Sequence, residues 1–203
     1  VEPGDVIMLD EQIWHVKEEK KDIQVLLYHK PVGEIVTQYD EQGRPTVFSK
    51  LPKLSHGHWI SVGRLDINTQ GLLIFTNDGE LANKLMHPSA HLLRHYKVRV
   101  FGTIQEESLA KLKKGIMLEG DRCQFAEIER IGNPKGRNQW FHVGVYTGKY
   151  RMVRRLWEQV GGSVNRLIRV AFGPVVLPED LSMGAYRALS KSDIERLKKE
   201  LAS

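Results

Sequence analysis

Residues 96–101 read Tyr-Lys-Val-Arg-Val-Phe, with apolar and cationic side chains alternating at the period-two spacing of a half-buried strand. The pattern stays legible downstream. Glu106 to Lys114 places Leu109 and Leu112 at helical spacing and stops before Gly115, so it predicts a helix. Cys123 to Ile131 reads as a strand, residues 132–137 (Gly-Asn-Pro-Lys-Gly-Arg) as a loop, and Gln139 to Tyr146 as another strand. Tyr150 to Val160 reads as a helix ended by Gly161-Gly162, and Val164 to Phe172 as a last strand. That order is βαββαβ, the ferredoxin-like arrangement. A closing amphipathic helix starts at the Ser190 cap, with Ile194, Leu197 and Leu201 on one face.

Upstream, Ile23 to Tyr28 is strand-like and stops at Lys30-Pro-Val-Gly33. Residues 34–58 show little periodicity and predict loops and short turns. Trp59 to Val62 and Leu72 to Thr76 read as strands. A helix capped by Asn77 or Asp78 follows, with Leu81, Leu85 and Met86 on one face and His87-Pro88 at its end. At the start, Val6 to Leu9 and Ile13 to Val16 are short strands, and Lys17 to Asp22 is a polar run with the look of a linker. Two such strands cannot bury a core alone. The expected class is α+β.

The 203 residues are 41% apolar and 27% charged, the make-up of a globular protein of one or two domains. The lone Cys123 excludes an internal disulfide framework and fits a reducing, cytoplasmic setting; on a strand it reads as a packing residue. No apolar run approaches the ~20 residues of a membrane span. The net charge of +5 conceals an asymmetry: residues 1–93 hold 9 basic against 13 acidic side chains, and residues 94–203 hold 21 against 12. A basic second half suits attraction to phosphates. Eight histidines form no metal-ligand spacing, and the glycines form no Walker or dinucleotide fingerprint, so no metal or nucleotide cofactor is expected.

Two segments could carry chemistry. In Ser61-Val-Gly-Arg-Leu-Asp66, followed by Ile67-Asn-Thr-Gln-Gly71, a carboxylate sits in a glycine-flanked loop between strands. Asp66 is there either a reactive group on a rigid scaffold or the cap of a turn with Asn68 and Thr69. From Lys149 to Arg169, the six basic residues Lys149, Arg151, Arg154, Arg155, Arg166 and Arg169 face one acid, Glu158. On the expected helix Arg151, Arg154 and Arg155 share a face beside an apolar stripe, which suits an RNA or anion contact. Lys149, Arg151, Arg155 and Arg169 are thus candidate RNA-binding residues.

Gly63-Arg-Leu-Asp66 with Asn68-Thr-Gln-Gly71-Leu-Leu resembles the signature of the ribosomal pseudouridine synthases of the RsuA/RluB family. Lys30-Pro-Val-Gly33, Gly43-Arg-Pro-Thr-Val-Phe48, Asp78-Gly-Glu-Leu-Ala82 with His87-Pro88, Gly148-Lys149 with Val153-Arg-Arg155, and Leu167-Ile-Arg169 with Gly173 continue the likeness over residues 22–200. Arg-Pro-Thr-Val-Phe48 and Arg-Arg-Leu-Trp-Glu158 look most like the RluB type, which modifies 23S rRNA. The resemblance implies the pseudouridine synthase catalytic fold, a mixed and mostly antiparallel sheet with helices on its outer faces. Members carry an S4-type RNA-binding domain ahead of the catalytic one, and Pro3-Gly-Asp-Val-Ile7 looks like its closing strands. Residues 1–20 are therefore expected to be a remnant of that domain with a linker, and residues 21–203 the catalytic domain, with subdomains of about 21–93 and 94–203.

By the same resemblance Asp66 is the catalytic aspartate, Arg154 the basic residue paired with it, and Tyr96 the active-site tyrosine that stacks on the uracil and assists proton removal. Leu167 lines the base pocket, and Arg64 fills the gap left by a flipped uridine. An arginine beside Asp66 favours the ionised carboxylate. The implied activity is isomerisation of a uridine in 23S rRNA by a monomer, without cofactor or metal, on naked RNA or an assembly intermediate. Siblings acting on 16S rRNA or tRNA share the motifs, and a non-catalytic rRNA-binding or ribosome-assembly protein is the reading from another class.

Overall fold

Short runs of β-branched and aromatic residues alternate with helices whose apolar stripes need a sheet to cover. The computed structural model describes residues 6–9, 12–15 and 22–201. Near the start, β1 (Val6–Leu9) pairs antiparallel with β2 (Gln12–His15). Of the expected linker, Lys17 to Asp22, residues 17–21 lie outside the described residues. There follow β3 (Val25–Lys30), β4 (Ile60–Ser61), β5 (Gln70–Thr76), α1 (Gly79–Met86), β6 (Arg94–Phe101), α2 (Glu106–Lys114), β7 (Ile116–Leu118) and β8 (Asp121–Cys123). Then come β9 (Glu127–Lys135), β10 (Asn138–Val145), α3 (Met152–Glu158), β11 (Ser163–Phe172), β12 (Val175–Val176), β13 (Tyr186–Ala188) and α4 (Lys191–Glu200).

One sheet runs through the molecule in the order β13-β3-β5-β11-β6-β10-β9, with β4 on β5 and β12 on β11. Within it β11-β6-β10-β9 is wholly antiparallel and has the strand order of the ferredoxin-like unit expected for the second half. Among the described strands of this sheet, β5 and β11 alone pair in parallel, and that junction joins the two halves. Gly71 makes it possible: its φ is +111°, and a Cβ there would collide with the Arg169 backbone.

The pleat gives the sheet two faces. Tyr96, Val98 and Leu167 point toward Leu112 of α2 and Leu156 and Trp157 of α3, where Trp157 packs tilted on Phe141 with ring centroids 4.6 Å apart. Through the registers Tyr96↔Arg169↔Gly71↔Lys30, that face continues into Leu26, Tyr28, Leu73 and Phe75, which lie under Val47 and Trp59. On the other face, Val25, Leu27, Leu72 and Ile74 pack against Leu81 and Leu85 of α1 and Ile194 and Leu197 of α4. Asp78 caps α1 through the Leu81 amide, and Ser190 caps α4 through the Asp193 amide.

Several expectations shift. Strand β9 runs on through Asn133 and Pro134 to Lys135, where a loop was expected, because β10 pairs with its end. The strand expected over 123–131 is two, since β8 turns back on β7. Met86 is exposed and not on the buried stripe of α1, because it sits one residue, about 100°, round from Leu85. Helix α3 covers only Met152–Glu158, since Arg151 has left-handed φ of 48°. Cys123 is buried in the α2–α3 core. Among the described residues, no helix is long and apolar enough to cross a membrane.

Candidate active site

Asp66 begins a turn, closed by the Thr69 amide donating to the Asp66 carbonyl at 3.0 Å. Every carbonyl of that turn is held. The Lys30 ammonium donates to Asp66 O at 3.2 Å and Thr69 O at 2.9 Å, the Gly33 amide to Ile67 O at 2.8 Å, and Arg154 Nη2 to Asn68 O at 2.9 Å. Lys30 completes its set with Pro31 O. Three acceptors use all three N–H bonds of an ammonium. Its side chain is fully buried, and burial pushes its pKa down to about 8, while the carboxylates of Glu34 and Asp66 pull it back up.

With its backbone so occupied, Asp66 is left free to present its carboxylate, about one-third exposed, to a cleft of about 980 Å³. The carboxylate does not cap its own turn. Its nearest cation is Arg151, with Nη1 at 3.7 Å from Oδ2, a separation too long for a hydrogen bond. Arg154, the expected partner, forms no ion pair with Asp66. Its guanidinium is buried and turned to the Asn68 and Val164 carbonyls, because those are the acceptors α3 brings within reach. Burial, and then the charge of Arg151, lower its pKa, while Asp66 and Glu158 act in the opposite sense. Arg154 therefore acts on Asp66 through space and through the turn, and Arg151 is the direct neighbour. Arg151 reaches that place from a strained left-handed backbone at the N-cap of α3.

The cleft also brings together Arg64, exposed on its rim, and Tyr96 and Leu167, both buried in its wall. Arg169 lies below Tyr96, with Nε donating to Leu72 O at 2.7 Å and its guanidinium over the Phe172 ring. Lys149 lines the cleft while paired with Asp121 at 2.6 Å. Arg155 does not join them. It pairs with Glu119 beside a separate hollow, since consecutive helical residues point about 100° apart.

Sequence reasoning passed over three parts of this site. Arg94 stacks on Phe172 at 4.7 Å and donates to the Tyr146 carbonyl, and burial lowers its pKa, with Arg169 adding repulsion. It lies two residues from Tyr96 on one strand, so period two was a usable signal. Lys30 had no such signal, because a lysine at a strand end ordinarily faces water. The segment from Ile35 to Arg44 also walls the cleft, with Arg44 held in a forked ion pair to Asp40. The chemical sum is the Asp66 carboxylate among Arg64, Arg94, Arg151, Arg154 and Arg169, with the other lining acids, Asp40 and Glu41, on the wall segment and Asp40 tied to Arg44, a basin suited to a polyanion.

Comparison with known proteins adds to this geometry. Residues 24–159 match the family described as RNA pseudouridylate synthase. The chain is 48% identical over 202 residues to ribosomal large subunit pseudouridine synthase B of Pseudomonas aeruginosa, covering 99% of this chain and 52% of that protein. To the protein of the same name from Salmonella typhimurium it is 49% identical over 199 residues, covering 98% and 68%. It thus spans about half to two thirds of the length of these curated relatives. A solved structure described as a pseudouridylate synthase superposes with a TM-score of 0.74 at 28% identity, covering 97% of this chain and 82% of that one.

Proposed function

From the premise that this chain belongs to the RNA pseudouridylate synthase family, we infer that it isomerises a uridine to pseudouridine in large-subunit (23S) ribosomal RNA. The observation that carries this reading is the Asp66 carboxylate, presented to a cationic cleft by a turn whose four carbonyls are all occupied. Such a group is preorganised and costs no rearrangement at the moment of reaction. The relatives named for the large ribosomal subunit support the choice of RNA.

In the proposed reaction Asp66 attacks the target nucleoside, at ribose C1′ or at the uracil ring. The C1′–N1 bond breaks, the base turns, and a C1′–C5 bond forms as Asp66 is released. N1 gains a proton and C5 loses one, so substrate and product have the same atoms. Tyr96 stacks on the freed base and its hydroxyl assists removal of the C5 proton. Leu167 bounds the apolar side of the base pocket. Arg151 stabilises the carboxylate as nucleophile and as leaving group, and Arg154 and Lys30 hold the turn. Arg64, at the rim, takes the place of the extruded uridine in the RNA stack. The protein acts as a monomer in the cytoplasm, with no metal or cofactor in the scheme.

The test is tritium release from C5-labelled uridine in 23S rRNA, supplied free and within a large-subunit assembly intermediate. The wild-type chain is expected to release tritium from one form or both, and Asp66→Ala from neither. Release by Asp66→Ala at the wild-type rate sinks the assignment of the nucleophile. No release by wild type from 23S rRNA, with release from 16S rRNA or tRNA, moves the substrate.

A further inference from the structure

Among the described residues, the face of the sheet opposite the cleft is left open over β6, β9, β10 and β11, where Lys97, Glu129, His142 and Arg166 are exposed. Helices α2 and α3 cover the cleft side of these strands, while α1 and α4 lie against β3 and β5. Register orders the open face into two rows. One runs Arg166–Arg99–Trp140–Ile131 and the next Ile168–Lys97–His142–Glu129.

Three features set this surface apart from ordinary solvated charge. Arg166 and Arg99 stand directly opposite each other, a placement that destabilises a sheet when nothing offsets the repulsion. Among the described residues, neither these two nor Lys97 forms an ion pair. The acids on the same face are at its far margin, where Glu127 is occupied by His95 at 2.9 Å. Second, the Arg99 guanidinium is oriented: its Nε donates to Asn165 Oδ1 at 2.8 Å, and Asn165 Nδ2 donates to Asn138 Oδ1 at 2.9 Å. Third, Trp140 lies between the cations, with Lys97 Nζ 5.3 Å and Arg99 Cζ 5.8 Å from its ring centroid.

Cations that repel each other need an external anion, and an aromatic ring among them offers a stacking platform. A phosphate backbone with unpaired bases satisfies both demands at once. The antiparallel βαββαβ sheet is also a geometry on which single-stranded RNA can lie, its bases on the open face. We propose that this face is a second RNA site, binding a single-stranded segment of the RNA whose target uridine enters the cleft. Lys97, Arg99 and Arg166 take the phosphates and Trp140 stacks on a base. The proposal rests on the reading that the chain acts on RNA, and it extends the bound RNA round to the other side of the sheet.

The probe is a thiouridine-substituted single-stranded oligoribonucleotide of about 12 nucleotides. Wild type is expected to bind it and to photo-cross-link within residues 138–145. The double variant Lys97→Glu/Arg166→Glu, changed at two exposed positions, should lose that cross-link. Its affinity should fall about tenfold or more and its salt slope by about 1.4, two phosphate contacts. Trp140→Leu should weaken binding with the slope unchanged, the mark of lost stacking. Tritium release from a short hairpin carrying only the target should stay within about twofold for both variants. Unchanged affinity and slope in the double variant, or cross-links confined to cleft segments, overturns the proposal. So does preferential binding of an acidic peptide at this face over the oligonucleotide, or loss of hairpin turnover in a folded variant. Failure of wild type to release tritium while the cross-link persists instead overturns the catalytic reading alone.

Discussion

The two faces of the sheet use the same residue types in opposite ways. On the cleft side, Lys30 and Arg154 are buried and spend their N–H groups on the protein's own carbonyls. On the open side, Lys97 and Arg166 are exposed and, among the described residues, form no ion pair. A buried cation held by carbonyl acceptors fixes geometry, whereas an exposed one offers screened, long-range attraction. The comparison separates positioning from capture.

The sharpest break of that division is Asp66→Ala. Turnover should fall by at least about 10³-fold. Folding stability should change by no more than about 0.5 kcal/mol in a denaturant titration, because the carboxylate is partly exposed and caps nothing. A large stability loss would mean that Asp66 is structural after all.

Next come the pins. Arg154→Met and Lys30→Met each leave carbonyls of the turn without donors, and each should cost about 2–4 kcal/mol. In whatever remains folded, kcat should drop about 10²-fold with little change in KM, since the turn loosens while the phosphate-binding rim is intact. A change confined to KM would move these residues from positioning to binding.

Lys30 also predicts a pH dependence with a definite sign. Its folded pKa of about 8 lies below the 10.5 of a free lysine, so between those values the unfolded chain holds a proton the folded chain has lost. Stability therefore rises with pH across that window, and the cost of burying the charge is fully present below it. Wild type should gain about 1–3 kcal/mol on Lys30→Met between about pH 7 and pH 10. A flat difference would show that the ammonium is not desolvated.

The smallest effect belongs to Arg155→Ala. Its pair with Glu119 lies outside the cleft, so stability should shift by no more than about 0.5 kcal/mol and turnover by less than about twofold. Only a marked loss of turnover would return Arg155 to the site.

Much of the site was legible in the chain. The loop carrying Asp66, the strand carrying Tyr96 and, from the basic run, Lys149, Arg151, Arg154 and Arg169 converge on one cleft, while Arg155 and Arg166 do not. The partner of Asp66 was not legible, since Arg151, Arg154 and Arg155 are equally cationic on a helical wheel. The left-handed turn at Arg151 and the depth of α3 aim one at the carboxylate, one at the turn and one away. The strand through Pro134 was missed because ladder pairing along β10 overrides a local turn signal.

The sequence alone determined the order βαββαβ and the α+β class, because periodicity is a local property of the chain, and its resemblance to a known family supplied the candidates Asp66 and Tyr96. Tertiary structure decided the rest. The parallel junction of β5 with β11 brings the turn of one half under α3 of the other. Burial then makes Lys30 and Arg154 into pins and leaves Lys97, Arg99 and Arg166 facing outward. The physical reason is that a side chain's charge is written in the chain, while its desolvation and its partners depend on residues far away in sequence.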